Sequence, residues 1–129
     1  MPLVRIDMFC DKSTKYRLAI RDAVCETLAD VMGIATENCH GVVIDHEPDK
    51  QRNLTSHFGA QHDSDAILVT IGFNEEVGLD QKELLYIAIV RALRQRVGLP
   101  SKEVALKLVE VRKQGSAGNI WLYLDALPR

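Results

Sequence analysis

The sequence predicts an α/β domain in which two pseudo-repeated β-α-β units form one four-stranded sheet with two helices on one face. Three observations lead there. Two short apolar runs, Leu3–Phe9 and Ile67–Phe73, have the length and aliphatic content of strands. Each is followed by apolar residues at steps of three and four: Tyr16, Ala19, Ile20, Ala23, Val24, Leu28 and Val31 in the first half, and Leu84, Leu85, Ala88, Ile89, Ala92 and Leu93 in the second. The two halves are also one pattern written twice, at a constant offset of 65 residues (68 − 3). Leu3-Val4-x-Ile6 lies over Leu68-Val69-x-Ile71, Ala23-Val24 over Ala88-Ile89, Leu28 over Leu93, Gly33 over Gly98 and Val43-Ile44 over Leu108-Val109, without a gap.

The ends of the elements carry their own signals. Ser13 or Thr14 suits the N-cap of the first helix and Asp80 that of the second, because short side-chain oxygens accept from the free N–H groups of a first turn. Gly33 and Gly98 stand where a left-handed C-cap is expected, and Pro100 follows at the usual distance. The closing strands are residues 41–46 and 104–112. A strand-helix-strand unit with a long crossover makes a parallel, right-handed pair. Both helical stripes then cover one sheet face, and the other is left bare. A bare apolar face calls for a partner, so a homo-oligomer is expected. Residues 47–65, with Pro48 and Gly59, read as a linking loop with room for one short helix. After residue 112, Gly115-Ser116-Ala117-Gly118 reads as a turn before a short strand, Ile120–Leu124, which could pair with a neighbouring subunit. The chain is thus one domain over 1–129: repeat one at about 2–47, a loop at 48–65, repeat two at about 66–112 and a tail at 113–129.

Composition narrows the function. With 129 residues, 47% hydrophobic and 26% charged, the chain can build a core without disulfide or metal staples. A formal net charge of −2, with no run of five like charges, argues against nucleic-acid and membrane-surface partners. No apolar stretch approaches the ~20 residues of a membrane span. Arg5 and Asp7 interrupt the apolar start, which is unlike a signal peptide, and Cys10, Cys25 and Cys39 form no C-x-x-C. A cytoplasmic protein with reduced thiols follows.

No cofactor and no metal are expected. His40, His46, His57 and His62 make no H-E-x-x-H pair. The glycines at 115–118 precede no helix that would cradle a phosphate. Cys39 and His40 are adjacent on a strand edge, so they point to opposite faces and make a poor nucleophilic dyad.

Met1-Pro2 stands directly before the first strand, Asp80-Gln81-Lys82 opens the second helix, and Asp45-His46-Glu47-Pro48 contains a His-x-Pro step. Together with the duplicated unit, these features resemble the tautomerase superfamily over nearly the whole chain, and its longer members such as malonate semialdehyde decarboxylase in particular. The resemblance implies a homotrimer and a catalytic amino-terminal proline, here Pro2 once Met1 is removed. A free α-amine has a pKa of roughly 7.7–8.0. Burial disfavours its charged form and leaves a neutral base near pH 7, suited to moving a proton beside a carbonyl. Relatives hold a substrate carboxylate with arginine after the third strand, and here that stretch is Phe73-Asn74-Glu75-Glu76-Val77, with two acids and no arginine. The decarboxylase's aspartate before the second strand corresponds to Asn38, which can orient a carbonyl but cannot ionise.

The candidate site is therefore Pro2 as catalytic base, with Asn38, His40, Asn74, Trp121 and Tyr123 as substrate-binding residues. Two functions fit. One is a cofactor-independent tautomerase-like enzyme acting on a small carbonyl compound or keto/enol acid, with decarboxylation and dehalogenation disfavoured. The other is a non-catalytic ligand-binding or regulatory module on the same scaffold.

Overall fold

Along the chain the order is β1 (Leu3–Phe9), α1 (Thr14–Met32), β2 (His40–His46), β3 (Ile67–Phe73), α2 (Leu79–Val97), β4 (Val104–Glu110) and β5 (Ile120–Leu124). A single 3₁₀ turn precedes β2 (Thr36–Asn38) and another precedes β4 (Ser101–Glu103). The structure is a computed structural model that describes residues 2–9, 12–47, 65–110 and 120–124. Met1, most of the linking loop, residues 111–112 and the turn at 115–118 lie outside the described residues, as do Cys10, His57 and His62.

The repeat in the sequence is a repeat in the geometry. β1 and β2 pair in parallel from Leu3↔His40 to Phe9↔His46, and β3 and β4 from Ile67↔Val104 to Phe73↔Glu110. The separation is the same in both units (40 − 3 and 104 − 67, each 37). β1 and β3 join the units antiparallel, with Val4 opposite Ile71 and Ile6 opposite Val69. Adding 65 to Val4 and Ile6 gives Val69 and Ile71, so these two pairs exchange under the repeat. An approximate two-fold axis therefore runs between β1 and β3.

The sheet order is β2-β1-β3-β4-β5. The four strands of the two units are as expected, and the tail strand extends the sheet within its own chain. β5 pairs antiparallel with β4 of its own chain, from Ala105↔Leu124 to Val109↔Ile120. It satisfies a row of backbone groups that β4 would otherwise present as an open edge.

Both helices have 19 residues and lie side by side on one face of the sheet. Ser13 caps α1, its hydroxyl accepting from the Tyr16 N–H at 3.1 Å. Both helices end on a left-handed glycine, Gly33 (φ 70°) and Gly98 (φ 72°), a conformation that a Cβ would strain. The start of α2 corrects the expectation: Gly78 occupies the cap position, and Asp80 lies inside the first turn. There its carboxylate faces the positive end of the helix dipole instead of capping it.

Between helices and sheet sits the core, with Val4, Ile6, Ile20, Val24, Leu28, Val69, Ile71, Leu85, Ile89, Leu93, Leu106 and Leu108 all buried. These are the alternate strand residues and the helical stripes picked out by periodicity. The opposite sheet face is not uniformly apolar, contrary to expectation. Leu3 and Val42 are exposed there, but between them Arg5 donates to Asp7 at 3.0–3.2 Å and Asp7 lies 2.7 Å from His46 Nε2. Among the described residues no helix is long and apolar enough to cross a membrane.

Candidate active site

The antiparallel pairing of β1 with β3 places the start of one beside the end of the other. Pro2 therefore meets the segment Phe73-Asn74-Glu75. α1 runs back to the same end of the sheet, and its last residue Met32, then Ile34 and Asn38, close the third side. These seven residues line a cavity of about 290 Å³. Pro2 is buried, whereas Asn38, Asn74 and Glu75 are exposed at the mouth. Asn38 ends the 3₁₀ turn and is tied there by its backbone N–H to the Ala35 carbonyl at 3.0 Å.

Three of the candidate residues thus share one pocket: Pro2, Asn38 and Asn74. His40 does not join them. It starts the edge strand β2 opposite Leu3, on the open face of the sheet. Trp121 and Tyr123 are on β5, and their side chains lie outside the described residues. Met32, Ile34, Phe73 and Glu75 were not singled out as site residues from the sequence. Their signal was the pair of Gly C-caps and strand ends that the repeat places together.

Chemically, the wall offers two amide groups, which can donate to an oxygen, and one carboxylate. Among the described residues no lysine, arginine or histidine lines the cavity. The other copy of the repeat makes the corresponding cleft at the opposite end of the sheet, about 360 Å³, with Lys12, Ser13, Tyr16, Asp65 and Val97 to Pro100 around it. Val97 and Leu99 there match Met32 and Ile34 (97 − 65 and 99 − 65). The position matching Pro2 is Ile67, within a strand, so this cleft has no proline counterpart to act as base.

Cys25 is no competing nucleophile. Burial, and then its hydrogen bond with the Cys39 thiol, push its thiol up to about 12, so it is protonated at neutral pH. Among the described residues no group of three or more His, Cys, Asp or Glu is placed to hold a metal.

No protein-family model and no curated protein matches the chain at a significant level. Solved structures do. A malonate semialdehyde decarboxylase, crystallised as wild type, with its first-residue proline changed to alanine, and inactivated, superposes with a TM-score of 0.75 over 91% of each chain at 22% identity. That enzyme is described as having decarboxylase and hydratase activities. The chain has a tautomerase-like fold. A fused 4-OT solved as a symmetric trimer matches it with a TM-score of 0.66 at 13% identity, over 88% of this chain and 89% of that one. A macrophage migration inhibitory factor-like protein from Entamoeba histolytica matches with a TM-score of 0.65 at 18% identity, over 93% and 98%. At these identities the tautomerase-like scaffold is shared, and the chemistry has to be argued from the pocket of this chain.

Proposed function

We propose that this protein, one domain over residues 1–129, is a cofactor-independent tautomerase-like enzyme of the cytoplasm, assembled as a homotrimer. Pro2, freed by removal of Met1, is its general base, and its substrate is a small carbonyl compound. One observation carries the reading: a buried Pro2 opens onto a cavity whose rim holds two asparagine amides. The scaffold shared with a decarboxylase solved with its first-residue proline replaced, and with trimeric fused 4-OT structures, supports the base and the assembly.

Burial keeps the freed Pro2 amine neutral by penalising its charged form. Its lone pair takes a proton from the carbon beside the substrate carbonyl. Negative charge then gathers on the carbonyl oxygen, where an N–H of Asn38 or Asn74 donates to it. Return of the same proton from Pro2 to the oxygen or to a conjugated carbon completes the isomerisation, with no net change in the enzyme.

The pocket wall favours a substrate without a carboxylate. An anion about 4 Å from Glu75 is disfavoured by about 1 to 4 kcal/mol, depending on how much water screens the pair. Among the described residues no arginine, which would hold both oxygens of a carboxylate, lines the cavity.

Deuterium uptake from heavy water, followed by proton NMR, tests this. Acetylacetone, a neutral diketone, is expected to exchange with a kcat/KM at least about five-fold above that of phenylpyruvate. No enzyme-dependent exchange on either compound, together with a melting shift on ligand addition, would replace this reading by the non-catalytic module.

A further inference from the structure

We propose that Lys82 and Glu110 are positioning residues that hold the Asn74–Glu75 wall of the pocket in shape; the inference rests on the reading of that pocket as the active site. Glu110 is the last residue of β4, paired in register with Phe73 at the end of β3. Its carboxylate is buried, and its two oxygens reach different elements. Oε1 lies 2.6 Å from the Lys82 ammonium on α2, and Oε2 accepts the backbone N–H of Val77 at 2.8 Å. The strand pairing therefore anchors Phe73, and the side chain of the same glutamate anchors Val77. Between those anchors lie only Asn74, Glu75 and Glu76, and the first two line the cavity.

The repeat supplies an internal control. Subtracting 65 from Lys82 and Glu110 gives Arg17 and Asp45, which also form an ion pair, at 2.7 Å. In that copy the side chains are 29% and 37% exposed, whereas Lys82 and Glu110 are 4% and 5% exposed. Solvent screens the first pair, and pairs of that kind contribute little. A buried pair gains little net stability over apolar residues of the same volume, because both charges lose their hydration. What it does fix is geometry: a short ionic contact and a charge-assisted hydrogen bond tie strand, loop and helix together at one carboxylate. Among the described residues, the copy beside Pro2 is the one that is buried and also bonded to the loop. A wall carrying the group that meets the substrate oxygen has to be held to within a fraction of an ångström.

Two double variants separate the loop bond from the charge. Lys82→Met/Glu110→Leu removes both charges and leaves the Val77 N–H without this acceptor. Lys82→Met/Glu110→Gln removes the charges but retains an amide oxygen for Val77. The first is expected to raise KM for acetylacetone by about ten-fold or more and to speed amide hydrogen exchange at Val77 by a similar factor. The second is expected to return both to within about three-fold of the wild type. Arg17→Met/Asp45→Leu, in the exposed copy, should move neither.

A folded Leu variant with wild-type KM and wild-type exchange at Val77 would overturn the proposal. So would a Gln variant that departs from the wild type by about ten-fold or more in KM and in Val77 exchange, an outcome that decides the matter even if the Leu variant does not fold. Val77 exchange is read without substrate, so an inactive wild type would sink the catalytic reading while the loop clamp is still decided by that measurement.

Discussion

Protein that keeps Met1 on Pro2 will exchange protons on a neutral ketone about 10²–10⁴-fold more slowly than protein with a free Pro2, the range that a positioned general base contributes. In the retained form the Pro2 nitrogen is a tertiary amide, its lone pair shared with the carbonyl of Met1, and it has no basicity. Both asparagines and the cavity remain, so binding persists where the added residue does not block the mouth. The two forms are made by expressing the chain with and without methionine aminopeptidase processing and are identified by intact mass. The comparison needs matched folding, because Pro2 is buried; circular dichroism and melting provide that check. Equal rates would remove Pro2 from the chemistry.

Truncating Leu28 or Leu93 to alanine will destabilise the fold by about 2–5 kcal/mol each, the range for emptying a fully packed leucine site. Both side chains are completely buried, one on α1 and one on α2, and they are repeat equivalents (28 + 65). The pseudo-two-fold makes a further demand: the two losses should agree to within about 1 kcal/mol, since the same kind of site is emptied twice. A chain of this size has about 5–15 kcal/mol to lose, so either change alone consumes a large share. Urea unfolding of each variant measures the losses. A cost below about 1 kcal/mol at either site would mean that the helix there does not pack as described.

The elements that local pattern can specify were readable from the sequence. Periodicity placed both helices, the short aliphatic runs placed β1 and β3, and the constant offset of 65 predicted that the two units would have the same internal geometry. What escaped was decided by distant partners. Asp80 looks like a cap, but the chain enters α2 through Gly78, directly after Val77, and Val77 is held by Glu110, 33 residues away. β5 was recognisable as a strand, yet nothing in five residues says whether its partner is β4 of the same chain or a neighbour. The open face of the sheet was misjudged because Arg5, Asp7 and His46 reveal their mutual bonding only when β1 and β2 are in register.

The site divides in the same way. Pro2, Asn38 and Asn74 sit at ends of elements that the topology gathers around one cavity. His40 starts the edge strand β2 opposite Leu3 and is not among the residues that line that cavity. Nothing in the sequence marks Lys82 and Glu110 as a buried pair, and their equivalents Arg17 and Asp45 are partly exposed.

The most direct measurement is a pH titration of the Pro2 nitrogen, with ¹⁵N-labelled proline in Met1-free protein, set beside the pH dependence of ketone exchange. If Pro2 is the base, its resonance will titrate with a midpoint below the roughly 7.7–8.0 of an ordinary α-amine, and the acidic limb of the rate will fall at the same pH. A midpoint in the ordinary range, with a rate indifferent to it, would contradict the assignment of Pro2 as the catalytic group.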